Sequence, residues 1–123
     1  MSWNFDNSIP IYQQIIQEMK RRIIRKELTP GERLSSVRDL AKEAGVNPNT
    51  MQKALSELET EGLVETERTS GKFITSDKNL ISVLQEEYLK ERLEPFLSEL
   101  HSLGLTEEEL VTLIRSHYKE AKQ

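Results

Sequence analysis

The sequence predicts a mainly α fold with a small β-wing (α+β): a winged helix-turn-helix followed by a C-terminal two-helix tail. Three observations lead there. Apolar residues recur at helical spacing in three successive N-terminal segments. A glycine bend, Gly45-Val46-Asn47, separates the second segment from the third, the spacing of a helix-turn-helix. Two short strand-like runs then flank Arg68-Thr69-Ser70-Gly71, a hairpin turn. The expected division is residues 1–77 for the winged domain and residues 78–123 for a helical dimerisation or effector tail.

Each element has its own signal. Pro10 suits a first helical turn, where its missing N–H is no loss. Tyr12, Ile15, Ile16, Met19, Ile23 and Ile24 then set a helix over about residues 10–26, with Trp3 and Phe5 folded back onto it. Thr29-Pro30-Gly31-Glu32 is a tight turn. Ser36 is an N-cap with Asp39 at N3, and Val37, Leu40, Ala41 and Ala44 form a buried stripe that ends at Gly45. Asn47 caps the third helix and Pro48 takes N1. Met51, Ala54, Leu55 and Leu58 line its apolar face as far as about Glu61, and Gly62 closes it. Residues 63–67 and 72–75 are the strands of the wing. The tail begins near Lys78. Pro95 is expected to kink or break its first helix, Gly104 stops it, and Thr106 with Glu109 forms a capping box for the last.

Composition excludes several functions. With no cysteine, the chain has no disulfide scaffold, thiol nucleophile or cysteine-bound metal. No apolar run approaches a membrane span, and no signal-peptide core is visible, so a soluble, cytoplasmic protein is expected. His101 and His117 lack metal-ligand spacing, and no Walker loop, dinucleotide fingerprint or nucleophile motif is present. The expectation is therefore a non-enzyme with no metal and no cofactor. The hydrophobic content of 36% is lean, so apolar surface is expected to be covered by a second subunit.

A formal net charge of −4 looks at first like an argument against nucleic acid. Position removes the objection. Residues 1–78 carry 12 basic and 12 acidic side chains, and residues 79–123 carry 5 and 9. From Lys20 to Lys53 nine basic residues face four acids, a local +5. Screening acts over about 8 Å at physiological salt, so the local charge is what a phosphate meets.

The third helix opens with groups that read bases. Asn49 and Gln52 can pair bidentately with adenine, Thr50 can meet a thymine methyl, and Lys53 can reach guanine or phosphate. Ser36, Asn47 and Pro48 sit at helix N-termini whose amides suit phosphate oxygens. Arg38, at N2 of the second helix, either contacts DNA or pairs with Asp39 or Glu43 on the surface. Lys72 and Arg68 flank the wing tip and are further phosphate candidates.

These residues carry a resemblance. The matching stretches run from Pro10 to Ile15, Pro30 to Ala41, Gly45 to Leu55 and Leu58 to Val64. Together they resemble the DNA-binding domain of the GntR family of bacterial transcription regulators. The Asn47-Pro48-Asn49-Thr50 turn and the short tail are similar to its YtrA-like branch. The resemblance implies DNA contact by Arg38, by the helix opening at Asn47, Pro48, Asn49, Thr50 and Gln52, and by Thr69, Ser70 and Gly71 of the wing in the minor groove. Two positions depart from the family pattern: Ser35 replaces the usual proline, and Thr69 the first wing glycine. The resemblance also implies a homodimer through the two-helix tail, repression of a promoter, and a double-stranded operator as partner.

The dimer seam is expected along Leu80, Ile81, Leu84, Tyr88, Leu93, Phe96, Leu97, Leu100, Leu110, Leu113, Ile114 and Tyr118. The aromatic members Tyr88, Phe96 and Tyr118 would alternatively line a small-molecule effector pocket. The rival to a DNA-binding regulator is a winged-helix adaptor that binds protein, for which the acidic tail speaks.

Overall fold

The fold is that of a computed structural model, which describes residues 3–121. Its elements are α1 (Ile11–Ile24), α2 (Val37–Ala44), α3 (Pro48–Thr60), β1 (Val64–Glu67), β2 (Gly71–Ile74), α4 (Lys78–Ser102) and α5 (Glu107–Ala121). They fall into two compact units, the first ending at Gln85 and the second starting at Glu86.

In the first unit α3 is central and touches α1, α2 and β1. Its Met51, Ala54, Leu55 and Leu58 are all 0% exposed. Against them pack Ile15, Met19 and Ile23 of α1, Leu40, Ala41 and Ala44 of α2, and Leu63, Val64 and Ile74 of the wing. Burying each large side chain contributes about 1.5–3 kcal/mol, so this layer fixes the orientation of α3. The first turns of α4 join the same core: Leu80, Ile81 and Leu84, expected along a dimer seam, lie partly buried against it within the chain. Trp3 and Phe5 fold back as expected, with ring centroids 6.0 Å apart and the Arg22 guanidinium 4.1 Å from the Trp3 ring centre.

Helix ends follow the caps. The Ser36 hydroxyl accepts from the Asp39 amide at 3.1 Å, and the Asn47 side-chain oxygen accepts from the Asn49 amide at 2.8 Å. Gly45 takes φ +70°, a left-handed conformation that side chains with a Cβ resist, and so turns the chain sharply between α2 and α3. The helix expected over 10–26 stops at Ile24. The reason is Lys26, which takes φ +64° and turns the amides of Glu27 and Leu28 back to the Arg22 carbonyl at 2.9 and 3.1 Å.

The wing is an antiparallel pair in the register Val64↔Ile74, Glu65↔Phe73, Thr66↔Lys72 and Glu67↔Gly71. Leu63 precedes the first strand and Gly71 belongs to the second, a one-residue shift from the expected spans. A third strip, unforeseen in the sequence, adds to the sheet. Arg33 bridges Phe73, with Leu34 N–H donating to the Lys72 carbonyl and Ile74 N–H to that of Glu32, both at 2.8 Å.

The second unit holds the rest of α4 and α5. Pro95 neither breaks nor ends α4, contrary to expectation. Glu91 and Pro95 are both exposed, so the hydrogen bond that proline cannot make is lost on an exposed side of the helix. The Thr106 capping box forms in both directions: Glu109 N–H donates to the Thr106 hydroxyl and Thr106 N–H to the Glu109 carboxylate, each at 3.2 Å. Leu93, Phe96, Leu113, Ile114 and Tyr118 remain exposed. Among the described residues no helix is long and apolar enough to cross a membrane, and no cluster of His, Asp and Glu is placed to hold a metal ion.

Candidate nucleic-acid interface

The amphipathic pattern of α3 dictates which side chains leave the core. With Met51, Ala54, Leu55 and Leu58 buried, the intervening Asn49, Gln52 and Lys53 are exposed and Thr50 half-buried, at the amino end of the helix. Asn47 spends its side-chain oxygen on the cap and keeps its amide N–H groups. The Gln52 amide nitrogen donates to the Ser56 hydroxyl at 3.0 Å, one turn further on. The Lys53 ammonium stands 3.9 Å from the centre of the Tyr12 ring, a cation–π contact that lays the lysine back against α1.

Arg38 sits exposed in the first turn of α2, two residues after the Ser36 cap. Among the described residues no carboxylate lies within 4.0 Å of it, so the surface ion pair with Asp39 or Glu43 does not form.

At the wing tip Arg68 and Thr69 are exposed and Ser70 half-buried. Thr69 keeps a negative φ, and Gly71, at φ +108°, supplies the positive one. The wing turn thus closes without a positive φ at position 69, using that of Gly71 alone. Lys72 is already engaged: its ammonium bonds the Glu59 carboxylate of α3 and the Thr66 hydroxyl, the latter at 3.0 Å. Thr66 itself donates to the same Glu59 oxygen at 2.7 Å. These two bonds hold the Glu59 carboxyl below the usual glutamate range.

The basic stretch from Lys20 to Lys53 is weaker than its sequence count. Arg22 is buried at 4% exposure beside Trp3, and both it and Arg21 pair with Glu18, at 2.9 and 2.7 Å. Lys20 pairs with Glu61 at 2.9 Å.

Known proteins share this arrangement. The family described as bacterial regulatory proteins, gntR family, matches residues 11–74, from the start of α1 to the end of β2. The chain belongs to the GntR family. Similarity to its members extends beyond the winged domain. The HTH-type transcriptional regulator YhcF of Bacillus subtilis is 42% identical over 94% of this chain and 96% of its own. The HTH-type transcriptional repressor YtrA of the same organism is 38% identical over 94% and 90%. A GntR family transcriptional regulator from Listeria monocytogenes superposes with a TM-score of 0.80 at 38% identity, covering 91% of this chain and 98% of that one. As a GntR protein it is a transcriptional regulator with a DNA-binding domain, not an enzyme.

Within the GntR domain α2, which carries Ser36 and Arg38 at its amino end, packs on α3 and is joined to it through the Gly45 turn. The structure gives Lys72 and Lys53 each an intramolecular partner, the first half-buried and the second exposed. It also adds Arg33 to the wing, a residue that sequence reasoning counted only as part of the charge. The signal that could have found it is the apolar Leu34 just after the Pro30-Gly31 turn, which marks a short strand entering the core.

Proposed function

We propose that this GntR protein is a dimeric repressor that binds a pseudo-palindromic operator in double-stranded DNA. The observation that carries the reading is the amino end of α3. Its buried face holds the helix rigidly while Asn49, Thr50 and Gln52 point away from the core, at the spacing of a recognition helix in the major groove. Ser36, Arg38, Asn47 and Pro48 set its register on phosphates, and Arg68, Thr69, Ser70 and Gly71 offer the wing tip to the adjacent minor groove.

Residues 1–77 act as the DNA-binding domain and residues 78–123 as the dimerising tail. The half-exposed apolar side chains Leu93, Phe96, Leu113 and Ile114 support an isologous seam, because water contact at such a row is costly. Repression agrees with the YtrA relative, which is a transcriptional repressor. A regulator of this kind works in the cytoplasm, and the tail leaves room for an effector.

Selection of duplexes from a random pool tests the reading. The expected product is two half-sites related by a dyad, with centres about 10–10.5 base pairs apart or a multiple of that. Failure to enrich any sequence, or binding indifferent to salt, refutes it.

A further inference from the structure

We propose that the wing divides its cations between two tasks: Lys72 is a strut that positions the wing on the recognition helix, and Arg33 is the wing's phosphate contact. The inference rests on the DNA reading above.

Strand alternation sorts the wing residues into two faces. Val64, Thr66, Lys72 and Ile74 share one, and burial of Val64 and Ile74 at 2% and 0% exposure shows that it faces the core and α3. Lys72 therefore leaves its strand on the α3 side. Its side chain is 17% exposed, and its ammonium is bonded to Glu59 and Thr66. Moving that ammonium to a phosphate would cost both bonds. It would also leave the Glu59 carboxylate without its counter-ion and near the anionic backbone. The closed triangle Glu59–Thr66–Lys72 joins α3, β1 and β2, so it fixes the angle between the reading helix and the wing.

Arg33 occupies the other face. It pairs with Phe73 across the third strip, and its Nε and Nη2 lie 3.5 and 3.6 Å from the point where a Cβ at Gly71 would sit. The guanidinium thus reaches along the sheet to the residue that closes the wing turn. It is exposed, and among the described residues no carboxylate lies within 4.0 Å of it. Glu65 and Glu67 share its face, opposite Phe73 and Gly71, without pairing with it. A planar guanidinium with a fork of donors matches phosphate oxygens, and among the described residues this one has no side-chain bond to give up.

The test titrates the full-length protein with a duplex that the wild type selects from a random pool and with a scrambled duplex, between about 50 and 200 mM salt. Arg33→Ala and Arg33→Gln should each lower the slope of log affinity against log salt by about 0.9, so that over this range they lose about 3.5-fold less affinity than the wild type. Lys72→Met and Glu59→Gln should weaken specific binding equally while keeping the wild-type slope. The charge-swapped pair Glu59→Lys with Lys72→Glu should recover it. A wild-type slope in both Arg33 variants overturns the inference. So does a reduced slope in Lys72→Met alongside normal binding by Glu59→Gln. If the wild type selects no duplex and binds the pool without salt dependence, the DNA reading itself fails.

Discussion

Replacing Phe96 by alanine is the sharpest probe of the tail. Phe96 is 52% exposed in the single chain. An aromatic side chain carries about 150–250 Å² of surface, so about 100 Å² of this ring is left for a partner to cover. At about 25 cal/mol per Å² that is ~2.5 kcal/mol in each protomer. A two-fold seam contains the residue twice, so the substitution should cost ~5 kcal/mol of association free energy. With about 1.4 kcal/mol per decade, the dimer dissociation constant should rise by about three and a half decades. Sedimentation equilibrium across a concentration series measures this directly, with circular dichroism to check that helix content is retained. Ser98→Ala, an exposed change in the same helix, serves as the control and should leave the constant unaltered. A Phe96→Ala protein that dimerises within threefold of wild type would show that the ring lies outside the seam and would remove the aromatic centre from the proposed interface.

Asn49→Ala and Gln52→Ala should each lose about 1–3 kcal/mol of discrimination between selected and scrambled duplex, and equal losses on both duplexes would deny them a reading role. For Gln52 part of the change is the released Ser56 hydroxyl, which the double substitution Gln52→Ala with Ser56→Ala separates. Arg38→Ala should lower the salt slope by about 0.9, and an unchanged slope would make it a surface residue. Glu59 gives a pH prediction. Its folded carboxyl is held below the ordinary value of 4.5, so its contribution to stability is present above that value and lost as pH falls through the folded one. The melting temperatures of wild type and Glu59→Gln should therefore differ at neutral pH and converge on acidification. A gap that stays constant would deny the pair a role in stability.

The helices of the first unit were legible because each combines period, cap and stop. Ser36 and Asn47 accept the amides their cap positions require, and Gly45 takes the positive φ expected of it. What escaped the sequence depends on contacts between segments distant in the chain. Glu59 and Lys72 are thirteen positions apart, and only the register of the wing brings them together. The strip at Arg33 is too short to show alternation, and its identity as a strand comes from the edge of β2. Leu80, Ile81 and Leu84 continue the apolar stripe of a long helix, and periodicity alone cannot say whether such a stripe meets its own core or a partner. Pro95 costs α4 one hydrogen bond and a clash with the preceding turn, and a helix of 25 residues has enough other bonds to run on through it.

The same contacts explain how an acidic chain keeps a basic working surface. Glu18, Glu59 and Glu61 are all drawn into ion pairs inside the first unit, with Arg21 and Arg22, with Lys72 and with Lys20. Lys20 and Lys72 each cancel one carboxylate, while Glu18 is shared by two arginines, so these contacts take three acids and four cations largely out of the field. The cations that remain without a carboxylate within 4.0 Å among the described residues include Arg33, Arg38, Lys53 and Arg68, which lie on the wing or near the amino ends of α2 and α3. Screening confines each charge to about 8 Å, so these cations act locally even though the whole chain sums to −4. Affinity for DNA should therefore follow ionic strength through these few contacts, and adding or removing acids in the tail should leave the salt slope unchanged.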